Sequence, residues 1–444
     1  MPSIFLPLII VLLCGFASAD FHIFNENLAS DTTVAYNNTN LLRCISHLSP
    51  GGKEHLNLWI DALKDGSYSR IQIALANLSV NTSNEKPISD GSIYNFYADR
   101  HENAGYIKVL RDRSSTYKVM ALLEVYDAPS LNLTNRTVIF ESNHSLILDE
   151  INYFGYQAFN LGGWYGITFI RTEGRSQTPM LNFFSKEDMG PVFGEFRQIT
   201  NTSQDTEISV VKMTKMSNGS IYIVWQEKFF TSNGDQLIRS SKISAKRAYM
   251  KSGGMEFSEP IVIWSSNANT YYELFDVIST DEQVVVIASL QLNAAPMNIQ
   301  GFVARFEQNK SDVMLTTRKE MVKTLRIQFA DRYFGGIIIG FLSYSEVDAS
   351  STLYYKLFDE QGNVKVLKTV EETKIATDPV RISGAWANDN AYYISFGDKT
   401  SCNQYVAKLV DKISKSACYE EDFGARDHPV LYLCILLIFI VLLA

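Results

Sequence analysis

The segment Ile221-Tyr-Ile-Val-Trp-Gln-Glu227, with Gln236-Leu-Ile-Arg-Ser-Ser-Lys-Ile243 and Pro260-Ile-Val-Ile-Trp264 after it, decides how this chain is read. Each piece has strand length and is rich in β-branched and aromatic residues. A further strand precedes them at Glu207 to Thr214, joined through a polar turn at Asn218 and Gly219. A looser loop is expected at Lys228 to Asp235. Four short strands joined by turns cannot bury both faces of the sheet they make, so the unit needs neighbours of its own kind.

Such neighbours recur along the chain. Strands like the one at Ile221 begin at Trp164 (WYGITFI), Gln283 (QVVVIAS), Gly336 (GIIIGF) and Tyr392 (YYISF). With Tyr165, Ile221, Val284, Ile337 and Tyr392 as anchors, the spacing stays between 53 and 63 residues. Stepping back by the same interval reaches Ala104 to Leu110 and then His55 to Ile60. Third strands follow at Tyr117 to Tyr126, Met180 to Phe184, Gly301 to Phe306, Thr352 to Phe358 and Tyr405 to Val410. A long period with four strands and almost no helical pattern indicates an all-β fold, a β-propeller of about seven four-stranded blades, with six or eight as the neighbouring counts. A run of β-sandwich domains is the competing architecture, but it would show longer repeats and linkers. The last unit lacks a fourth strand, which Phe21 to Phe24 or Thr32 to Tyr36 could supply from the N-terminus, closing the ring and removing an exposed edge.

The ends of the chain read as processing signals. Residues 1–19 carry an apolar run from Ile4 to Phe16 and end in Ala17-Ser18-Ala19, the pattern of a secretory signal peptide. Residues 417–444 end in an uncharged run from Val430, whose fifteen residues make a helix of about 22 Å, short of the roughly 30 Å hydrocarbon core. Small residues at Ser416-Ala417-Cys418, a polar spacer and this tail match a glycosylphosphatidylinositol attachment signal with Ser416 as the lipid-bearing residue. A short membrane-anchoring tail is the alternative. Residues 20–416 then form a single ectodomain on the extracellular face of the plasma membrane.

Nine Asn-x-Ser/Thr triplets fit that placement, at Asn37, Asn77, Asn81, Asn132, Asn135, Asn143, Asn201, Asn218 and Asn309. Of the five cysteines, Cys14 leaves with the signal and Cys434 lies in the tail. Attachment at Ser416 also removes Cys418, which leaves Cys44 to bridge Cys402; later cleavage would permit Cys402 with Cys418 instead.

Hydrophobic residues make up 46% and charged residues 20% of the chain, the composition of a globular protein with a large core. A net charge of −8 with no basic stripe argues against nucleic-acid binding. No Cys-x-x-Cys or spaced His pair points to a metal, and no cofactor motif is present.

The run IYIVWQE, GDQLIRSSKI and GMEFSEPIVIW (residues 221–264) resembles one blade of the sialidase-like, or BNR-repeat, propellers. In that family a strand ending in Val-Trp precedes one with an Arg-Ser pair, then an Asp-box turn. Here the turn at Met250 to Phe257 keeps the later Gly and the aromatic but has lost the Ser and Asp. The resemblance implies a propeller and raises a sialidase-like glycoside hydrolase as one functional reading, which would need an arginine triad, a Tyr nucleophile with a Glu partner, and an acid/base Asp. Arg171, Arg239, Arg305, Arg326 and Arg381 recur at blade strands, and solvated strand faces account for them more readily than an anion site does. The Asp99-Arg100-His101-Glu102 cluster reads as an ordinary polar hairpin turn.

The first functional reading is therefore a non-enzymatic surface glycoprotein that holds a protein or glycan ligand with loops on one face of the ring. Candidate contacts are Phe229, Phe230, Asn233 and Asp235 in one blade and Tyr344, Glu346 and Asp348 in another. Aromatic residues in loops supply binding area on a rigid scaffold.

Overall fold

The computed structural model describes 29 strands between residues 33 and 410, the connections at 161–163, 186–196, 199–202, 216–220 and 258–260, and single flanking residues. Strand β1 (Thr33–Tyr36) comes first and belongs to the last sheet. Blade 1 consists of β2 (Ile45–Pro50), β3 (His55–Ala62), β4 (Ser67–Ala74) and β5 (Val80–Pro87). Blade 2 holds β6 (Ser92–Ala98), β7 (Asn103–Arg111), β8 (Val119–Asp127) and β9 (Leu133–Ser142). Blade 3 holds β10 (Ile151–Asn160), β11 (Trp164–Glu173), β12 (Ser176–Ser185) and β13 (Arg197–Gln198). Blade 4 holds β14 (Thr206–Lys215), β15 (Ile221–Asn233), β16 (Gln236–Lys251), β17 (Gly254–Phe257) and β18 (Ile261–Ser265). Blade 5 holds β19 (Thr270–Ser279), β20 (Gln283–Leu292), β21 (Ala295–Glu307) and β22 (Arg318–Thr324). Blade 6 holds β23 (Arg326–Tyr333), β24 (Gly336–Ser345), β25 (Ser350–Asp359) and β26 (Val364–Thr369). Blade 7 holds β27 (Val380–Trp386), β28 (Tyr392–Gly397) and β29 (Gln404–Val410), completed by β1.

These seven sheets are antiparallel, and the seven second strands are the seven runs located by the sequence period. The first strands touch in cyclic order: β2 with β6, β6 with β10, β10 with β14, β14 with β19, β19 with β23, β23 with β27, and β27 with β2 again. That order makes the fold a seven-bladed β-propeller with the first strands innermost. Blade 7 borrows its outermost strand from the N-terminus, Val34 lying opposite Tyr405, so the second of the two expected closing segments is the one used.

The core lies between blades. Along β15 the side chains alternate: Ile221, Ile223 and Trp225 enter a cluster with Leu161, Ile170, Leu181 and Phe183 of blade 3, while Tyr222 and Val224 enter one with Leu274, Val284 and Val286 of blade 5. A strand buried on both faces reads as a continuous apolar run, which is why second strands dominate the sequence pattern. Removing each such side chain from water contributes about 1.5–3 kcal/mol. The same arrangement joins Leu123 and Val125 of blade 2 to Ile167 and Phe169 of blade 3, and Val285 of blade 5 to Ile337 of blade 6.

Two features depart from the sequence expectation. Lys228 to Asn233 is no loop: β15 pairs with β16 without interruption from Ile221 opposite Ala248 to Asn233 opposite Gln236. The outermost strand of blade 4 is also divided, β17 pairing with Ala248 to Lys251 and β18 with Lys242 to Ala245 along one edge of β16. The capped turn that the family resemblance implies is degraded at Met250 to Phe257, yet a turn of that chemistry occurs one blade earlier, between β12 and β13. There Asp188 Oδ1 accepts from Gly190 N at 2.9 Å, Met189 adopts φ 57°, and Phe193 is buried beneath. These amide bonds, with help from the Ser185 hydroxyl, hold the Asp188 carboxyl below its usual pKa.

Six of the seven innermost strands carry a register shift against their second strand, between Ile93 and Asn95, Phe154 and Gln157, Ile208 and Val210, Leu274 and Asp276, Ile327 and Phe329, and Val380 and Ser383. A bulge bends the strand and re-aims the residues beside it. Four of these shifts fall within the first four residues of their strand, and those of β10 and β19 fall near mid-strand.

Candidate functional site

The hairpin of β15 and β16 rises from the face of the ring formed by the turns between second and third strands. Among the described residues its partner β14 pairs as far as Thr206 opposite Phe229, while Phe230 to Asn233 pair with β16. At about 3.3 Å per residue, Phe230 to Asn233 carry this ribbon about 13 Å beyond Phe229. Phe230 and Asn233 lie on the projection and Phe229 at its base. Tyr344 sits near the end of β24, opposite Ser351, on the same face two blades away. All four therefore lie in strands rather than in loops, because ladder pairing continues to the tip of each hairpin. Asp235, Glu346 and Asp348 fall outside the described residues, as do the Asp99 to Glu102 cluster, Cys44, Cys402 and Ser416.

At the hairpin base the sequence places alternating polar side chains on opposite faces. Toward blade 5, Gln226 is fully buried and fully used: Nε2 donates to the Tyr272 carbonyl and, at 3.3 Å, to the Tyr271 hydroxyl, while Oε1 accepts from Leu274 N at 3.1 Å. Tyr272 N donates to Ser241 Oγ at 2.8 Å, and the Tyr272 ring stacks on Trp264 with centroids 5.6 Å apart. These contacts fix the leading end of β19 and with it Tyr271. Lys228 Nζ lies 5.7 Å from the Tyr271 ring centroid, and Glu273 is exposed on the same strand end. Burial raises the Tyr271 pKa, with partial offset from Lys228, so the phenol stays protonated at neutral pH while its oxygen accepts from Gln226 Nε2.

Toward blade 3, Glu227 is buried and spoken for. Trp225 Nε1 donates to its Oε1 at 2.8 Å, and Lys242 Nζ meets its Oε2 at 2.7 Å. Lys242 also lies 5.8 Å from the Phe229 ring centroid. This pair neutralises itself, which leaves Lys228, Tyr271 and Glu273 as the groups offered to a ligand: an amine, a flat amphipathic ring and a carboxylate within one seam.

A second polar cluster borders the axis. Lys212 of β14 reaches Asp276 of β19 at 3.7 Å, and Asp331 of β23 accepts from Arg332 N through Oδ1. The buried Tyr392 nearby has its pKa pushed well up, by burial first and then by Asp331 and Asp276. The Lys212–Asp276 pair ties adjacent innermost strands together. Among the described residues no group of His, Cys, Asp and Glu is arranged to hold a metal.

The five arginines are spread over five blades. Arg171 pairs with Glu173 at 2.9 Å on the surface of blade 3. Arg239 lies opposite Phe230 on the projecting ribbon and Arg305 opposite Val285 in a third strand. Arg326 begins β23 and Arg381 is the second residue of β27, so these two occupy the leading ends of consecutive innermost strands. Tyr271, Lys228 and Gln226 escaped the sequence reading because Gln226 joins residues 45 to 48 positions away. The doublet Tyr271-Tyr272 at a strand start was the available signal.

No protein-family model and no curated protein sequence matches this chain. Solved structures do resemble it in fold. A polysaccharide lyase, an ulvan lyase of family PL25, aligns at 9% identity with TM-score 0.50 over 86% of this chain and 95% of its own. The same kind of lyase bound to -[GlcA(1-4)Rha3S]- aligns at 8% identity and TM-score 0.50, over 88% and 96%. The β-propeller domain of the trilobed protease from Pyrococcus furiosus, described as having an open velcro topology, aligns at 9% identity and TM-score 0.45, over 84% and 99%. At these identities the likeness is one of fold alone.

Proposed function

We propose that this protein is a glycan-recognising β-propeller of the cell surface, with its ligand seated at the seam of blades 4 and 5. The observation that carries this reading is the arrangement of Lys228, Tyr271 and Glu273 around a hairpin base held rigid by Gln226. A sugar ring presents an apolar face and a rim of hydroxyls. A tyrosine ring flanked by an amine and a carboxylate offers surface to the one and hydrogen bonds to the other.

Glycan processing is the second reading, and the fold favours it over adhesion, since both aligned structures with TM-score 0.50 are polysaccharide lyases. The binding surface is common to both readings. The secreted ectodomain, cut before residue 417, should bind a subset of glycans on an array, and Lys228→Ala with Tyr271→Ala should reduce that signal at least about tenfold, the equivalent of 1.4 kcal/mol. Absence of any glycan signal would overturn the proposal. Incubating the array hits with the ectodomain and measuring new reducing ends or unsaturated products separates the readings, because a pure receptor leaves the glycan intact.

Placement at the membrane belongs to the same proposal: signal removal after Ala19, a lipid anchor at Ser416, and a Cys44–Cys402 bridge. Packing of β2 against β27 and β28 supports the bridge by bringing the first and last blades together. Release of the protein from cells by a phosphatidylinositol-specific phospholipase tests the anchor.

A further inference from the structure

We infer that N-linked glycans at Asn132 and Asn135 sheath the free edge of blade 2 and keep the protein from pairing with copies of itself. The inference rests on passage through the secretory pathway and is independent of ligand recognition at blades 4 and 5.

Blade 2 ends in β9, which among the described residues pairs with β8 alone, so one side of its backbone is an open edge there. Open edges invite pairing with another chain, most of all where they are long and apolar. β9 is ten residues long, and residues 132–136 are all exposed. Among the described residues three large hydrophobic side chains are exposed, and two of them, Leu133 at 46% and Val138 at 49%, lie on this strand. Both stay exposed among the described residues, and a bare apolar edge is a hazard for a secreted monomer.

The sequons fall where this hazard is greatest. Asn132 immediately precedes the strand and Asn135 lies within it, both exposed, with Leu133 between them and Val138 three residues on. The local backbone is pinned, since Asp127 N donates to the Asn132 carbonyl at 3.0 Å and Thr134 Oγ1 donates to the Val125 carbonyl at 2.9 Å, and both asparagines are exposed. Two other described sequons repeat the placement, Asn81 within β5 at the edge of blade 1 and Asn201 three residues past β13 at the edge of blade 3. Asn218 differs, being exposed in the turn between the two innermost strands of blade 4. In the transfer itself, Asn Nδ2 bonds to the anomeric carbon of a lipid-pyrophosphate-linked oligosaccharide. The lipid pyrophosphate departs and the amide gives up one proton.

The test uses the full ectodomain secreted from animal cells, with site occupancy read by glycopeptide mass spectrometry and mass by light scattering across a concentration series. Wild type should be occupied at Asn132 or Asn135 and monomeric. Asn132→Gln/Asn135→Gln should show a mass that climbs with concentration, Asn218→Gln should stay monomeric, and adding Leu133→Lys/Val138→Lys to the double variant should restore the monomer. Should the double variant not be secreted, enzymatic removal of glycans from folded wild type supplies the same bare edge. Empty sequons at both positions, or a bare edge that remains monomeric, would overturn the inference.

Discussion

Replacing Gln226 by Met removes three hydrogen bonds from the seam of blades 4 and 5 while nearly keeping the side-chain volume. The loss centres on Leu274 N–H, whose partner is Gln226 Oε1 in a buried setting, with the Tyr272 carbonyl losing its donor as well. A buried donor or acceptor left unpaired costs about 1–3 kcal/mol, so about 2–4 kcal/mol is expected for the pair, the carbonyl having a second lone pair for the strand ladder. At a urea m-value of about 3 kcal/mol/M this lowers the unfolding midpoint by roughly 1 M. Tryptophan fluorescence of the purified ectodomain gives the midpoint, Trp225 and Trp264 both lying close to the change. The same variant should weaken glycan binding, since Gln226 also positions the Tyr271 hydroxyl. An unchanged midpoint would show that water or a rearranged backbone satisfies these groups and that the seam is not held as described.

Further outcomes follow from the same geometry. Gly340→Ala places a methyl 2.1 Å from the Phe329 ring edge and should destabilise blade 6 by about 1–3 kcal/mol, seen as a lower thermal midpoint. Cys44→Ser should cost about 2–5 kcal/mol and reduce secretion if Cys44 bridges Cys402, and an unaltered yield and melting profile would argue for Cys402 with Cys418. Burial raises the pKa of Tyr222, Tyr271, Tyr272 and Tyr392 above 10.0 in the folded state. Their contribution is complete below pH 10 and falls as pH rises through their folded values, so stability should drop above that point, less steeply in Tyr392→Phe. Lys246, whose pKa burial lowers from 10.5, opposes this as a single group just below that value.

Why some of this was legible in the sequence is a matter of where each strand sits. Second strands such as Ile221 to Glu227 and Gln283 to Ser289 are covered on both faces, so their apolar runs gave the period and the count of seven. The projecting ribbon from Phe230 to Asn233 carries no such signal, because a two-stranded ribbon has no core to alternate against, and its polar residues look like a loop. The bulges were hidden because register depends on the partner strand. The sequence singled out none of Lys228, Tyr271 and Glu273, and Phe229, which it did single out, lies in the same hairpin with Lys242 over its ring. Tyr271 acquires its meaning from Gln226, a residue in another blade. The capped turn at Asp188 was passed over because its serine stands one position earlier than in the expected spacing.

The most direct measurement is a crystal structure of the glycosylated ectodomain soaked with the strongest glycan from the array. The account predicts seven sheets, with β1 paired to β29 through Val34 and Tyr405, and a sugar ring against Tyr271 within hydrogen-bond reach of Lys228. A different blade count, a β1 strand that pairs elsewhere, or a glycan bound away from the seam of blades 4 and 5 would contradict it.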